Sequence, residues 1–374
     1  MAEMKILYDH QVFSLQDAGG ISRYFYELAS FMGRQAGMRT RVAMGMSGSV
    51  LPFAELKDAG VAVEMWRGGG APGKYRYLGN EILGSALALA QGKVDIYHPT
   101  LYRRMPLVRA RGVVATQHDC IQERFPHLFQ GVEKKIRANR NLLAQADAII
   151  CVSESTRQDL LATYPVDAAK IRVIHHGLNQ LPRSAVAAAE LNALMRREYL
   201  LYVGSRAAYK NFDGLLQAYR DTGLYKSLDL LVIGGGTRTH EENGLAARLE
   251  IADCLRWLPH CSDGLLGEAY AGARLFVYPS LYEGFGFPPL EAMSLDCPTL
   301  VCHTSSLPEV CRDAPFYFVS GDQASFAATL LEAVKDEEKR ALAVVRGRDV
   351  AHAYSWEKCG QETLELYRAC LHEF

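Results

Sequence analysis

The sequence predicts an α/β protein built of two doubly wound, parallel-sheet domains followed by a C-terminal helix. Three observations carry this expectation. The chain has 374 residues, and chains past about 250 residues tend to split into domains of about 100 to 200. Short apolar runs of strand length alternate with longer segments of helical period, the pattern of a parallel sheet covered by helices on both faces. A polar, alanine-rich break near residues 178–198 interrupts that alternation once.

Taken in order, the first domain, residues 1–180, opens with the strand candidate "KILYDHQVF" and continues into "ISRYFYELASFM", whose apolar residues recur at helical spacing. "TRVAMGM", "VAVEMW", "VDIYHPT", "VVATQHD", "AIICVS" and "IRVIHHG" supply further strands, and "ILGSALALA" and "EKKIRANRNLLAQA" further helices. The second domain, residues 195–352, has strands in "YLLYVGS", "LDLLVIGGG", "LRWLP", "RLFVYPS" and "PTLVCHT", separated by segments such as "NFDGLLQAYR" and "DGLLGEAYAGA". The last segment, residues 353–374, holds a helix in which Trp356, Leu364, Tyr367 and Leu371 share one face. Open parallel sheets bind ligands beyond the carboxyl ends of their strands, so the loops there are where chemistry is expected.

A hydrophobic fraction of 49% and a charged fraction of 22% are those of a soluble globular protein. The net charge of -1 hides an asymmetry: residues 1–180 carry 22 Lys and Arg against 16 Asp and Glu, a balance of +6, and the remainder carries 19 against 26, or -7. Either the halves face different partners, the first a phosphate-rich surface, or solvated charges cluster by chance. "YRRMPLVRAR" sets Arg103, Arg104, Arg109 and Arg111 close together, and "EKKIRANR" sets Lys134, Lys135, Arg137 and Arg140 on one helix near Ile136 and Leu143. A basic helix with apolar residues can lie on an anionic membrane, unless those apolar residues face the core. Nine cysteines without a C-x-x-C pair fit a reducing cytoplasm, with Cys151 and Cys302 packed in strands as small hydrophobes. No signal-peptide pattern and no run of about 18 apolar residues is present, so membrane contact is expected to be peripheral at most. No nucleic-acid partner is expected.

Chemistry concentrates at strand ends. After "LLYVGS", which ends in Ser205, come Arg206 and Lys210, four residues apart at a helix start. A forked guanidinium beside a point charge there suits a diphosphate, although a solvated helix start would look the same. After "RLFVYPS", the stretch "YEGFGFPPLEAM" brackets a stiff loop with two carboxylates, Glu283 in the loop and Glu291 in the following helix. Gly284 and Gly286 allow close ligand approach, and Pro288 and Pro289 fit a first helical turn. In the first domain Gly19 and Gly20 precede a helix but lack the G-x-G-x-x-G dinucleotide pattern, which disfavours a dehydrogenase. The "GGG" at 234–236 reads as a turn after a strand. His118 and Asp119 close another strand, a pairing more often structural than catalytic when it stands alone.

Together these stretches resemble the retaining glycosyltransferases of family 4 over nearly the whole chain. The family's elements occur in its order: "GGISRY", "QHD", "VIHHG", "VGSRAAYKN", "EGFGFPPLEAM" and "SSLPEV". The opening "YDHQVFSLQDAGGISRYFYEL" looks most like bacterial mannosyltransferases that build lipopolysaccharide O-antigen or exopolysaccharide. The resemblance implies a GT-B fold: two Rossmann-like domains facing across a cleft, a nucleotide-sugar donor on the second, an acceptor on the first, and the final helix crossing back to the first. It assigns Glu283 to the donor sugar's hydroxyls, Glu291 to the ribose, and Arg206 and Lys210 to the leaving diphosphate. His118 approaches the sugar ring, the Gly19-Gly20 loop closes over the phosphates, and Ser205, Gly284, Phe285 and Gly286 line the donor. No metal or other cofactor is expected, since the two cations carry the charge. The donor implied is GDP-mannose. The acceptor is a saccharide, free or linked to polyprenyl diphosphate, at the inner face of the cytoplasmic membrane. An epimerase of the same fold acting on a UDP-sugar is the alternative enzyme. A non-catalytic sugar-nucleotide-binding protein is disfavoured by the intact Glu283, Glu291, Arg206, Lys210 and His118. Three positions depart from the family pattern: Pro259 and Asp296 stand where glycine is usual, and Arg312-Asp313 where Gly-Asp is common.

Overall fold

The computed structural model of the chain describes residues 3–16, 19–46, 51–66, 75–81, 92–101 and 108–372. The helix expected at "ILGSALALA" and the residues Arg103 and Arg104 lie outside them. The chain forms two compact units, Met1–Gly177 with Ser355–Phe374, and Leu178–Tyr354.

The first unit is wound around seven parallel strands, β1 (Met4–Tyr8), β2 (Met38–Met46), β3 (Ala62–Trp66), β4 (Val94–His98), β5 (Ala110–Gln117), β6 (Ala148–Cys151) and β7 (Ile171–Val173), in the spatial order β3-β2-β1-β4-β5-β6-β7. The second has six, β8 (Tyr199–Val203), β9 (Asp229–Ile233), β10 (Leu255–Leu258), β11 (Leu275–Tyr278), β12 (Thr299–His303) and β13 (Phe316–Val319), in the order β10-β9-β8-β11-β12-β13. Each sheet therefore reverses its winding beside its first strand, between β1 and β4 and between β8 and β11. Such a reversal opens a crevice at the strands' carboxyl ends, because the flanking helices run away from each other there.

The first core gathers Ile6, Tyr8, Tyr24, Phe25 and Val114 with Leu364, Tyr367 and Cys370 of the final helix, Trp356–His372; Trp356 and Leu371 pack at its edge. A polar thread runs through this apolar contact. The Tyr367 hydroxyl lies 2.6 Å from His98 Nδ1 and 3.1 Å from the Tyr8 hydroxyl. Close approach also explains Gly177, since a Cβ there would stand 2.3 Å from the backbone nitrogen of Trp356.

Several elements differ from expectation. "QVF" continues no strand: β1 ends at Tyr8, and Gln11–Leu15 is helical. The cause is Asp9, whose carboxylate accepts from the backbone N–H groups of Gln11 and Thr100 at 3.2 and 3.1 Å and so turns the chain. Gly19 and Gly20 consequently follow a helix rather than a strand. The alanine-rich break contains the helix Ala185–Leu194, capped by Ser184, whose Oγ accepts from Ala187 N–H. Alanine favours a helix without marking an apolar face, so periodicity gave no sign of it. β13 is a strand that no apolar run had marked. On the helix Val132–Gln145, Leu143 is buried and Ile136 packs on the same core cluster, leaving Lys134, Lys135, Arg137 and Arg140 exposed as charges alone. All nine cysteines are free, and burial pushes the Cys151 thiol up to about 12.

Two of the departures from the family pattern fall on left-handed backbone. Asp296 has φ 59°, and Arg312, which follows the helix Leu307–Cys311, has φ 52° and ψ -130°. Side chains at such positions cost about 1–3 kcal/mol. Arg312 is exposed, so Arg312→Gly should raise the second unit's stability by about 1 kcal/mol after allowance for the looser unfolded chain. Urea titration should show a later midpoint for that variant; an earlier one would mean the conformation is not strained.

Candidate active site

Because β8 and β11 are neighbours at the winding reversal, the loops leaving their carboxyl ends run side by side, tied by the Leu281 N–H donating to the Tyr209 carbonyl at 2.8 Å. Lys210 ends a short turn, Ala208–Lys210, and Asn211, at φ 54°, starts the helix Phe212–Asp221. From the other loop comes Glu283. The Lys210 ammonium lies 2.5 Å from Glu283 Oε1 and donates to the Tyr278 hydroxyl at 3.1 Å, and that hydroxyl donates to the same Oε1 at 2.6 Å. The Lys210 and Glu283 side chains are only 13% and 11% exposed. At that depth either charge alone would be costly, so each fixes the other.

A third strand end staples the Glu283 loop. Ser305, after β12, takes φ 46°, and its Oγ accepts from the Glu283 N–H at 2.9 Å. Ser306 Oγ donates to the carbonyls of Glu283 and Phe285 at 2.9 and 3.0 Å. Phe285 is buried between Phe287 and Tyr354, with ring centroids 5.3 and 5.5 Å away. Gly286 caps the helix Phe287–Ser294 at φ 107°, where a Cβ would also approach Leu307 to 2.9 Å. On that helix Glu291 accepts from the Tyr270 hydroxyl at 3.2 Å.

Arg206 is directed elsewhere within the same unit. Its guanidinium pairs with Glu242, donates to the carbonyls of Gly234, Gly236 and Thr237, and lies 5.2 Å from the centre of the Trp257 ring. Its side chain is 4% exposed. Gly234, Gly235 and Gly236 take φ of 90°, 71° and 76°, which curls the turn so that the carbonyls of Gly234, Gly236 and Thr237 meet the cation; a Cβ at Gly235 would stand 2.3 Å from Arg206 Nη1. The structure thus joins Lys210 to Glu283 directly, while Arg206 belongs to a second cluster with Glu242. Ser205 is exposed, and its carbonyl accepts from the Tyr202 hydroxyl at 2.5 Å.

In the first unit His118 follows β5, buried, stacked on His176 with ring centres 5.6 Å apart and edge-on to Tyr24 at 5.2 Å. Burial lowers its pKa to about 3, so it is a neutral imidazole, and its Nε2 has no hydrogen-bond partner among the described residues. Gly19, extended, precedes the first helical residue, Gly20, of the helix Gly20–Arg34.

Tyr278, Glu242, Ser305 and Ser306 carry contacts that no motif had assigned. "SSLPEV" pointed at the serines without a role; Tyr278 and Glu242 gave no signal, being an ordinary strand tyrosine and an ordinary capping glutamate. Among the described residues no group of three or more His, Cys, Asp or Glu could hold a metal ion.

Comparison with known proteins identifies the family. The family model described as "Glycosyltransferase Family 4" matches residues 18–180, and "Glycosyl transferases group 1" matches residues 187–349. The chain is 33% identical over 297 residues to the O-antigen chain mannosyltransferase B of Escherichia coli, covering 76% of each. It is 26% identical to a D-inositol 3-phosphate glycosyltransferase of Actinosynnema mirum, covering 94% of this chain and 92% of that one. Its structure resembles sucrose-phosphate synthase from Thermosynechococcus elongatus with a TM-score of 0.79, at 19% identity and full coverage of both chains. That likeness speaks for the fold alone, which is the GT-B fold of two Rossmann-like domains.

Proposed function

The chain belongs to the family 4 glycosyltransferases, and from that premise we propose that it moves mannose from GDP-mannose onto a saccharide, free or linked to polyprenyl diphosphate, with retention of anomeric configuration, in building a cell-surface polysaccharide. The observation that carries the reading is the Lys210–Glu283 pair at the winding reversal of the second sheet. The mannosyl part is supported by the likeness to the E. coli O-antigen mannosyltransferase.

In this reading the leaving group is a nucleoside diphosphate, and the step is driven by cations aimed where its charge develops. Lys210 supplies one. Arg206, which in this structure is turned to Glu242 and the glycine turn, supplies the second once the diphosphate draws it from those partners. Glu283 accepts from hydroxyls of the donor sugar and Glu291 from the ribose. Neutral His118 offers its Nε2 as a hydrogen-bonding group to the sugar, and the amides at Gly19-Gly20 meet the phosphates. No resident metal is part of the scheme.

A panel of nucleotide sugars tests it. Bound ligand stabilises a fold by RT ln(1 + [L]/Kd), about 2.7 kcal/mol at a hundredfold excess over Kd, so GDP-mannose should raise the melting temperature where UDP-glucose and UDP-galactose do not. Turnover of the stabilising donor should fall about a hundredfold in Lys210→Ala. Stabilisation by UDP-sugars alone would overturn the mannosyl assignment, and undiminished turnover in Lys210→Ala would overturn the diphosphate one.

The exposed cations of the helix Val132–Gln145 are proposed to meet anionic lipid, where each contributes about 1 kcal/mol. With Ile136 and Leu143 turned to the core, this contact is electrostatic. Wild-type protein should sediment with anionic vesicles at low salt and leave them at high salt. Retention in the supernatant at low salt would make a soluble acceptor the better reading.

A further inference from the structure

We propose that Tyr278 is a positioning residue of the transfer reaction: its hydroxyl keeps the Glu283 carboxylate in place when the Lys210 ammonium is drawn onto the diphosphate. This rests on the donor-site reading given above and goes beyond it in assigning work to a residue outside the phosphate and sugar contacts.

The geometry is that of three groups sharing two charges. Glu283 Oε1 receives both the ammonium of Lys210 and the hydroxyl of Tyr278, and no hydrogen bond among the described residues uses Oε2. Oε2 is therefore the oxygen that remains to accept a substrate hydroxyl. Lys210 has three N–H donors, of which one goes to Glu283 and one to the Tyr278 oxygen. A diphosphate arriving beside Lys210 competes with Glu283 for that ammonium, since both are anions seeking the same donors. As the ammonium turns to phosphate, Oε1 loses one of its two partners. Left with none, a carboxylate this far from water would swing toward any donor it could find, and the sugar would lose its fixed acceptor.

Tyr278 prevents this because it cannot follow either charge. It closes β11, is 3% exposed, and its ring stacks on Phe276 with centroids 5.9 Å apart. Burial and the neighbouring Glu283 hold its pKa well above the ordinary tyrosine value, so the phenol keeps its proton and stays a donor. The backbone side of Glu283 is held independently by Ser305 and Ser306. With the main chain stapled, the direction of the carboxylate is what remains for Tyr278 to set.

Tyr278→Phe removes the hydroxyl and leaves the ring, so folding is not at stake; a melting curve matching wild type would show as much. Steady-state kinetics on Tyr278→Phe, Glu283→Gln and the double variant then decide. The expected result is a kcat lower by about tenfold in Tyr278→Phe with the donor KM changed by less than about threefold, because the loss falls on the transition state. In the Glu283→Gln background the tyrosine change should have no further effect, since it acts through that carboxylate. Unchanged kcat in Tyr278→Phe, or losses that multiply in the double variant, would overturn the proposal while leaving the donor site standing. Wild-type kcat in Glu283→Gln would instead sink the donor-site reading itself.

Discussion

Lys210 and Glu283 can face each other at 2.5 Å, mostly out of water, only because the strands that carry them are neighbours at the point where the second sheet reverses its winding. Seventy-three residues separate them in the chain, and a charge pair at that depth must be fixed well or it costs more than it returns. Much of the local architecture follows from that demand. Ser305 accepts positive φ to hold the Glu283 amide, Ser306 binds two carbonyls of the same loop, and Gly286 turns the chain sharply enough for the next helix to begin at once. Arg206, the other cation of this region, is satisfied in the same way by Glu242 and three carbonyls.

The paired cations also shape how the site works. In the proposed reading, an anion binding there would exchange with internal carboxylates, since Lys210 and Arg206 are already paired with Glu283 and Glu242. Binding energy would thereby be partly offset, which is tolerable for a donor whose diphosphate must also leave. What such an exchange would give is coupling: contact of Lys210 with phosphate would change the partners of Glu283, the carboxylate proposed for the sugar.

Much of this was legible in the sequence, and the reasons differ by element. Strands such as "LDLLVI" and "AIIC" announced themselves because both faces of a parallel strand are buried, which leaves an unbroken apolar run. Lys210 was visible as the second cation after a strand end, four residues from Arg206, and Glu283 and Glu291 because glycine and proline fix the loop between them. The direction of Arg206 was not, since its partners come from the turn 234–237 and from Glu242, far along the chain, and "GGG" reads as a turn whether or not it wraps a cation. Tyr278 was hidden by its own success as a strand residue: an apolar ring in β11 looks the same with or without a working hydroxyl. The helix at Ala185–Leu194 went unseen because alanine fits a helix and a linker alike, and Asp9 ended β1 through contacts with Thr100 that no local pattern encodes.

The central claim is that the loops after β8 and β11 hold a nucleotide sugar through its diphosphate. The most direct measurement is a crystal structure of the protein with a bound nucleoside-diphosphate sugar. The account predicts the diphosphate within hydrogen-bonding distance of Lys210, a sugar hydroxyl on Glu283 Oε2, and the Tyr278 hydroxyl still donating to Oε1. A diphosphate bound away from these two loops, with the Lys210–Glu283 pair undisturbed, would contradict it.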